Sequence, residues 1–346
     1  MSQRKAYLDV GVGETRGVVT VDGHPERLFI ARAGDDPFDS PGARGVARIR
    51  RIERAFTSAF VEVPGGGSAL LPLKAGDPPL HEGQAVEVEV RIPSRRDKSA
   101  VVRLLGVSEG EPRLLAPAPD LEAELARWVK APPVTGSAAR DAADQAEELA
   151  LATLHALPGG GRLSIEPTRA LVAVDIDLGD RPGADAKRAA RAANLAALTA
   201  AARLLRLKGL GGLVVFDLVG RGHDGPALIS AARQAFSLDN PGVAIGPISK
   251  FGTLEMTVPR VRRPVAEDLL DDAGAPTPLT RALRLARLIE REGRAAPGAR
   301  LAARCDRACA EAFASLAAGL TDRLGPRFGV ETPEGWPDGR LEIVAR

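Results

Sequence analysis

The chain has 346 residues, 45% of them apolar but only 3% aromatic, with a formal net charge of +2 at neutral pH. That length supports two or three domains and a sizeable core, and so few aromatics leave the core to Ala, Leu and Val. A charge this close to balance does not mark a nucleic-acid binder, so any such surface must come from local clustering.

The two cysteines, Cys305 and Cys309 in CDRAC, are expected on one helix face as small buried apolar residues. With no further Cys or His beside them they do not read as a zinc site. The opening MSQRKAYLDVGVGE lacks the long apolar segment of a secretory signal, and no run approaches a membrane span. A soluble, cytoplasmic protein is expected.

Residues 4 to 106 read as β structure. The strand candidates are KAYLDVGV, TRGVVTV, ERLFIAR, GVARIRRIE, SAFVEVPG, SALLPL, QAVEVEVRI and SAVVRLLG. They are short, rich in Val and Ile, and punctuated by VDG, PGGG and GDPP, as in a small antiparallel barrel. VGVGETRG opens no helix and is read as a turn, not a phosphate loop.

GVSEGEPRLLAPAPD reads as loop and LEAELARWV as a short amphipathic helix. AARDAADQAEELALATLHAL reads as a longer helix, ended by LPGGG. Residues 161 to 256 then alternate strand and helix. RLSIEPT and ALVAVDID are strands, and AKRAARAANLAALTAAARLLRLKGL is a long helix stopped by Gly209. LVVFDLV is a nearly continuous apolar strand, as expected of one covered on both faces. ALISAARQAFSLD is a helix, and GVAIGPISKFGTLEMTV returns to β. VPRVRRPVAEDLLDDAGAPTP reads as a linker. The last part reads as helix (LTRALRLARLIEREG), strand (ARLAAR), helix (RACAEAFASLAAGLTDRLG) and strand (GRLEIVAR). The charged face of RALRLARLIEREGR is expected to be solvated.

The chemistry concentrates in ALVAVDID and LVVFD, two strands flanking one helix. A β-α-β unit makes them parallel, with Asp175, Asp177 and Asp217 at the carboxyl ends where ligands bind in open α/β sheets. Alternation puts Asp175 and Asp177 on one face, so three carboxylates are expected to converge. Unpaired, they would repel one another; a hard divalent ion such as Mg²⁺ resolves that and suits phosphodiester chemistry. The competing reading is that these aspartates cap the next helix or accept backbone N–H bonds.

Residues 162 to 256 resemble the catalytic region of the ribonuclease E/G family of Mg²⁺-dependent endoribonucleases. The resemblance rests on ALVAVDID, the AANLAALTAAARLLRLKGLGGLVVFDL block and ISKFGTLEM, in order and with matching gaps. It implies that Asp175 and Asp217 are the metal-binding pair. Asp177 stands where the family usually has Asn, and is added to the metal set. Asp180, followed by Arg181, takes the place of a usual basic residue. The acidic residue often seen after the Asp217 position is missing from DLVGRG. Ser249, Lys250 and Phe251 match an ISRFG stretch, with Lys250 implied at a phosphate; Asn194 is read as structural. His223 and Asp224 in RGHDG read as a mobile polar loop.

Upstream, GVARIRRIERAFTSAFVEVPGGGSALLPL and EGQAVEVEVRIPSRRDKSAVVRLLG are similar to the family's S1-type OB domain, which binds single strands through a basic groove and stacking aromatics. The similarity implies that Phe60 stacks on RNA, that Leu70 replaces the second aromatic, and that Arg95, Arg96 and Lys98 contact phosphate. Arg44, Arg48, Arg50, Arg51 and Arg54 alternate irregularly and are read as mostly solvated. About fifty residues separate barrel and catalytic region, so the family's 5′-monophosphate sensor is reduced to helices. The family's CPxC zinc-link is absent.

The expected fold is α+β and multidomain. RNase-H-like strands occupy 1–40, an inserted S1-type OB β-barrel 41–107 and a helical connector 108–160. A DNase-I-like α/β catalytic subdomain covers 161–264, a linker 265–279 and a small α/β C-terminal domain 280–346. The expected function is a Mg²⁺-dependent endoribonuclease (Mn²⁺ as a substitute, no zinc) that cleaves single-stranded RNA by metal-activated water attack. The expected protein is a monomer or homodimer, not a zinc-linked tetramer, with no membrane partner. The rival is an RNA-binding protein of the same family with weak or no cleavage.

Overall fold

The computed structural model describes residues 3–179 and 185–345. It opens with an antiparallel sheet of β1 (Arg4–Val10), β2 (Glu14–Val21) and β3 (His24–Arg32). Next come β4 (Arg44–Glu53), β5 (Ser58–Glu62), β6 (Ser68–Pro72), β7 (Ala85–Ile92) and β8 (Ala100–Val107). They run in the order β5-β6-β8-β7-β4, and β4 pairs back to β5, closing a barrel consistent with an OB-fold. Only β6 and β8 pair parallel. Alternate residues, among them Val61, Leu71, Val86 and Val88, fill the interior.

A strand, β9 (Arg113–Ala116), lies where a loop is expected, paired to the edge of β4. Its side chains are mostly exposed, so backbone pairing rather than apolar burial makes it a strand. After α1 (Leu121–Ala126), α2 (Ser137–Leu151) is shorter than expected. The next residues form β10 (Leu154–Ala156), and the PGG turn joins it to β11 (Arg162–Pro167) instead of ending the helix. Pairing with β11 decides this, since short apolar runs fit either period. Segment 108–160 is therefore helical only in part.

The central sheet continues with β12 (Val172–Asp177), α3 (Ala186–Lys208), β13 (Gly212–Asp217), α4 (Gly225–Ala235), β14 (Ala244–Ile248) and β15 (Thr253–Val258). Its order is β10-β11-β12-β13-β15-β14, and β12 and β13 are the parallel pair bridged by α3. The Asp185 carboxylate caps α3 by accepting the Lys187 and Arg188 N–H groups. Gly209 ends the helix at φ 70°, a left-handed turn that suits glycine. One face of the sheet, with Val174, Ile176, Val214, Phe216 and Leu254, packs on Ala197, Leu198, Ala201 and Leu205 of α3. The other face is largely open. Leu213 is 39% exposed, so β13 is not covered on both faces as its apolar run suggests.

The expected linker contains a short helix, α5 (Val265–Leu269). The C-terminal unit comprises α6 (Pro278–Ala295), β16 (Leu301–Arg304), α7 (Arg307–Phe313), α8 (Ala317–Leu324), β17 (Phe328–Glu331) and β18 (Glu342–Ala345). Strand order is β17-β16-β18; β17 was not expected, and the last expected helix is broken into two. CDRAC straddles the start of α7, with Cys305 ahead of the capping Asp306, so the cysteines do not share a helix face. Both are buried, and burial pushes the Cys309 thiol up to about 12.

The charged face of α6 is not solvated. Arg284 pairs with Glu147 of α2 at 2.7 Å, and Arg287 pairs with Glu147 at 3.3 Å and with Glu14 of β2. Arg16 of β2 is fully buried and joins the same network through Asp9 at 2.6 Å and Glu147 at 3.1 Å. These pairs dock the C-terminal unit on the opening sheet. No described helix is long and apolar enough to cross a membrane.

Candidate active site

Asp175 and Asp217 are register partners across the parallel pair β12 and β13. Both are exposed and stand on the open face at the carboxyl ends of their strands. Ser164 of β11 and Thr253 of β15 extend the same lateral row on either side. Among the described residues neither carboxylate has a hydrogen bond or ion pair. The helix caps are Asp185 for α3 and Asp224 for α4, so the capping reading fails for the strand-end pair. Two adjacent carboxylates with no counter-charge suit a hard divalent ion, which takes one or two carboxylates and completes its shell with water.

Asp177 is engaged elsewhere. Its carboxylate accepts the Gly179 N–H at 2.9 Å and pairs with Arg162 at 3.3 Å. The Gly179 bond and the Arg162 guanidinium hold it below the usual carboxylate range. Among the described residues no group of three His, Cys, Asp or Glu side chains could hold a metal, so the expected three-way convergence is not found. Asp180 and Arg181 lie outside the described residues. Asn194 is buried in α3 and clasps Val219, donating to its carbonyl at 3.0 Å and accepting its N–H at 3.1 Å. It thereby fixes the chain just after Asp217. Asp224 is ordered by its cap and an Arg191 pair at 3.3 Å, rather than lying in a free loop.

The turn between β14 and β15 lies at the same edge. The Ser249 hydroxyl accepts the Phe251 and Thr253 N–H groups, and the Gly252 carbonyl accepts the Leu218 N–H at 3.2 Å. This holds the turn beside the residue that follows Asp217. Lys250 is exposed, with its Nζ 5.0 Å from the centre of the Phe251 ring. Phe251 is 80% exposed. The ISKFG match includes Phe251 but gives it no role; the available signal was a phenylalanine in a short turn with polar Ser249 and Thr253 at strand spacing.

On the barrel, Phe60 is half-buried between the interior residues Ala59 and Val61, so it faces outward. The Arg51 guanidinium lies 5.4 Å from its ring centre. Leu70 is its register partner on β6, so the two positions implied to stack are adjacent. Lys98 is exposed. Arg96 is not free for phosphate: its side chain pairs with Asp272 at 3.0 Å and donates to the Asp271 carbonyl at 3.1 Å. Arg48 pairs with Glu111 at 2.7 Å and Arg51 with Glu53 at 2.6 Å, while Arg44 and Arg50 pair with Glu87 and Glu62. The arginine run of β4 is thus largely neutralised.

Residues 132–261 match the model of the Ribonuclease E/G family. Ribonuclease E of Escherichia coli (strain K12) is 37% identical over 114 residues, 32% of this chain and 11% of that protein. Ribonuclease E of Buchnera aphidicola subsp. Schizaphis graminum is 37% identical over 115 residues, 32% of this chain and 12% of that protein. Ribonuclease E of Synechocystis sp. is 28% identical over 125 residues, 35% of this chain and 18% of that protein. The matches thus span less than a fifth of each of these relatives. The family match covers β10 to β15 and both strands that carry the carboxylate pair.

Proposed function

We propose, from the match of residues 132–261 to the ribonuclease E/G family, that this chain is an endoribonuclease that cleaves single-stranded RNA. The observation that carries the reading is the in-register, uncompensated pair Asp175 and Asp217 on the open face. These two side chains would hold Mg²⁺ (Mn²⁺ in its place). When bound, the ion supplies Lewis-acid charge to the phosphodiester and lowers the pKa of a water nucleophile. Asn194 orients the chain beyond Asp217, while Arg162 and Gly179 keep Asp177 ionised beside the pair. Phe60 stacks on a base, and Lys98 and Lys250 take backbone phosphates. Arg96 is assigned to docking the barrel rather than to RNA.

In this reading 1–40 is the remnant of an RNase-H-like unit, 41–107 an S1-type domain and 108–160 the reduced sensor region. The DNase-I-like catalytic subdomain is 161–264, followed by a linker over 265–279 and the C-terminal domain over 280–346. The chain works as a monomer or homodimer.

The second reading, an RNA-binding protein with weak or no cleavage, is favoured by Leu70 at the second stacking position and by the Arg162 pair on Asp177. One experiment separates the two. Purified protein is incubated with a short A/U-rich single-stranded RNA in Mg²⁺ or in EDTA, beside Asp175→Asn and Asp217→Asn. Cleavage that needs Mg²⁺ and disappears in both variants supports the endoribonuclease; binding without cleavage supports the rival.

A further inference from the structure

The β7–β8 hairpin of the barrel does not project into solvent. Arg263 donates to the Ser94 carbonyl at 2.9 Å and pairs with Asp39 at 2.6 Å. The Arg96 N–H donates to Glu267 at 2.9 Å. These bonds dock the hairpin on the segment that leaves the central sheet, starting three residues beyond Arg260, so that the Arg95 charge acts on Arg260. Arg260 lies over the start of β13, where Gly212 adopts φ 99° and a Cβ would collide with the guanidinium. Both arginines have a buried Nε with no hydrogen-bond partner. Neither side chain has an ion pair among the described residues. Burial and the neighbouring Arg95 charge push the Arg260 pKa down. All four arginines of β4 and Arg96 have a carboxylate, so Arg95 and Arg260 without one stand out.

We propose that Arg95 and Arg260 form a phosphate clamp that spans the barrel and the central sheet and takes a backbone phosphodiester of single-stranded RNA. A guanidinium fork matches phosphate oxygens, and an anion between two like charges relieves their repulsion. The clamp sits at the opposite end of β13 from Asp217, about 17 Å away along five strand steps. The phosphate it holds is therefore not the scissile one, and the clamp sets which length of strand extends from the barrel to the carboxylate pair. The inference rests on the RNA-directed reading above and deepens it.

Binding of a fluorescently labelled oligo(A) of about 16 nucleotides is measured by anisotropy in EDTA, so that affinity is read without turnover. Arg95→Ala, Arg260→Ala, Arg260→Lys and the double alanine variant are compared with wild type across a salt series. The double variant is expected to lose about tenfold in affinity, and its slope of log K against log salt to fall by about 0.7, one single-strand phosphate. Arg260→Lys recovers part of the affinity. Unfolding temperatures stay at or above wild type, because no partner is lost and a repulsion is relieved. Unchanged affinity and slope in the double variant overturn the clamp, as does destabilisation of Arg260→Ala together with unaltered binding by Arg95→Ala. Arg95→Ala leaves the Gly212 contact alone and keeps the test decisive if Arg260→Ala fails to fold. Arginine-dependent binding by a wild type that never cleaves retains the clamp and refutes the endoribonuclease; cleavage indifferent to both arginines does the reverse.

Discussion

Asp175 and Asp217 face each other in register across two parallel strands, on the side of the sheet that α3 does not cover, with no cation among the described residues to separate their charges. Like charges at this spacing oppose folding. Replacing either by Asn is expected to leave the unfolding temperature unchanged or slightly raised in EDTA. Mg²⁺ should raise it for the wild type and not for either variant, because a ligand that binds only the folded state stabilises it. Calorimetry with and without Mg²⁺ checks this. An equal Mg²⁺ shift in all three proteins would place the ion elsewhere. Cleavage should fall at least about a hundredfold in each variant.

Phe251 is 80% exposed at the tip of a turn tied to Leu218. Truncation to Ala should change stability by no more than about 0.5 kcal/mol. If the ring stacks on a base beside the scissile phosphate, the loss is about 1–3 kcal/mol of RNA binding. Steady-state cleavage kinetics should show a KM raised about fivefold or more, recovered by Phe251→Trp. An unchanged KM would make this ring a bystander.

Leu70 sits beside Phe60 on the outer barrel wall. Leu70→Phe is expected to add a second stacking surface and tighten binding of single-stranded RNA about fivefold, equivalent to about 1 kcal/mol. Anisotropy titration reads this directly. No gain would show that the RNA path does not cross this wall.

Glu147 is buried among three guanidiniums. Burial acts to raise its carboxyl pKa, but Arg287, Arg284 and Arg16 outweigh it and hold it below the usual range. A carboxylate depressed in the folded state gives its full contribution above the unfolded value of about 4.3. That contribution is lost as pH falls through the folded value. Glu147→Gln should cost about 3–5 kcal/mol at neutral pH, since it leaves buried cations uncompensated. Its unfolding temperature should also vary less than that of wild type between about pH 5 and pH 3. Thermal melts over that range check both points.

Most barrel strands were legible because they are short, rich in Val and followed by Gly- or Pro-containing turns; β4, which runs into RAFT, is the exception. The β-α-β unit was legible because α3 has a capping Asp185, an apolar stripe and a Gly209 stop. Short stretches were harder. LHA and RLLA became strands only because an unpaired neighbour, β11 or the edge of β4, was there to hydrogen-bond with them. Pairing partners lie far along the chain and leave no local pattern.

The sequence by itself determined that Asp175 and Asp217 end two strands around one helix, because period and capping are local properties. Tertiary structure alone decided the rest. It turned Asp177 toward Arg162, left one face of β13 open, committed Arg96 to Asp272 in the segment after the central sheet, and left the Arg95 and Arg260 Nε atoms without a partner. Charge–charge pairing acts through space, and the side chain that meets a given arginine is fixed by how the sheets and the barrel pack, which no window of the sequence contains.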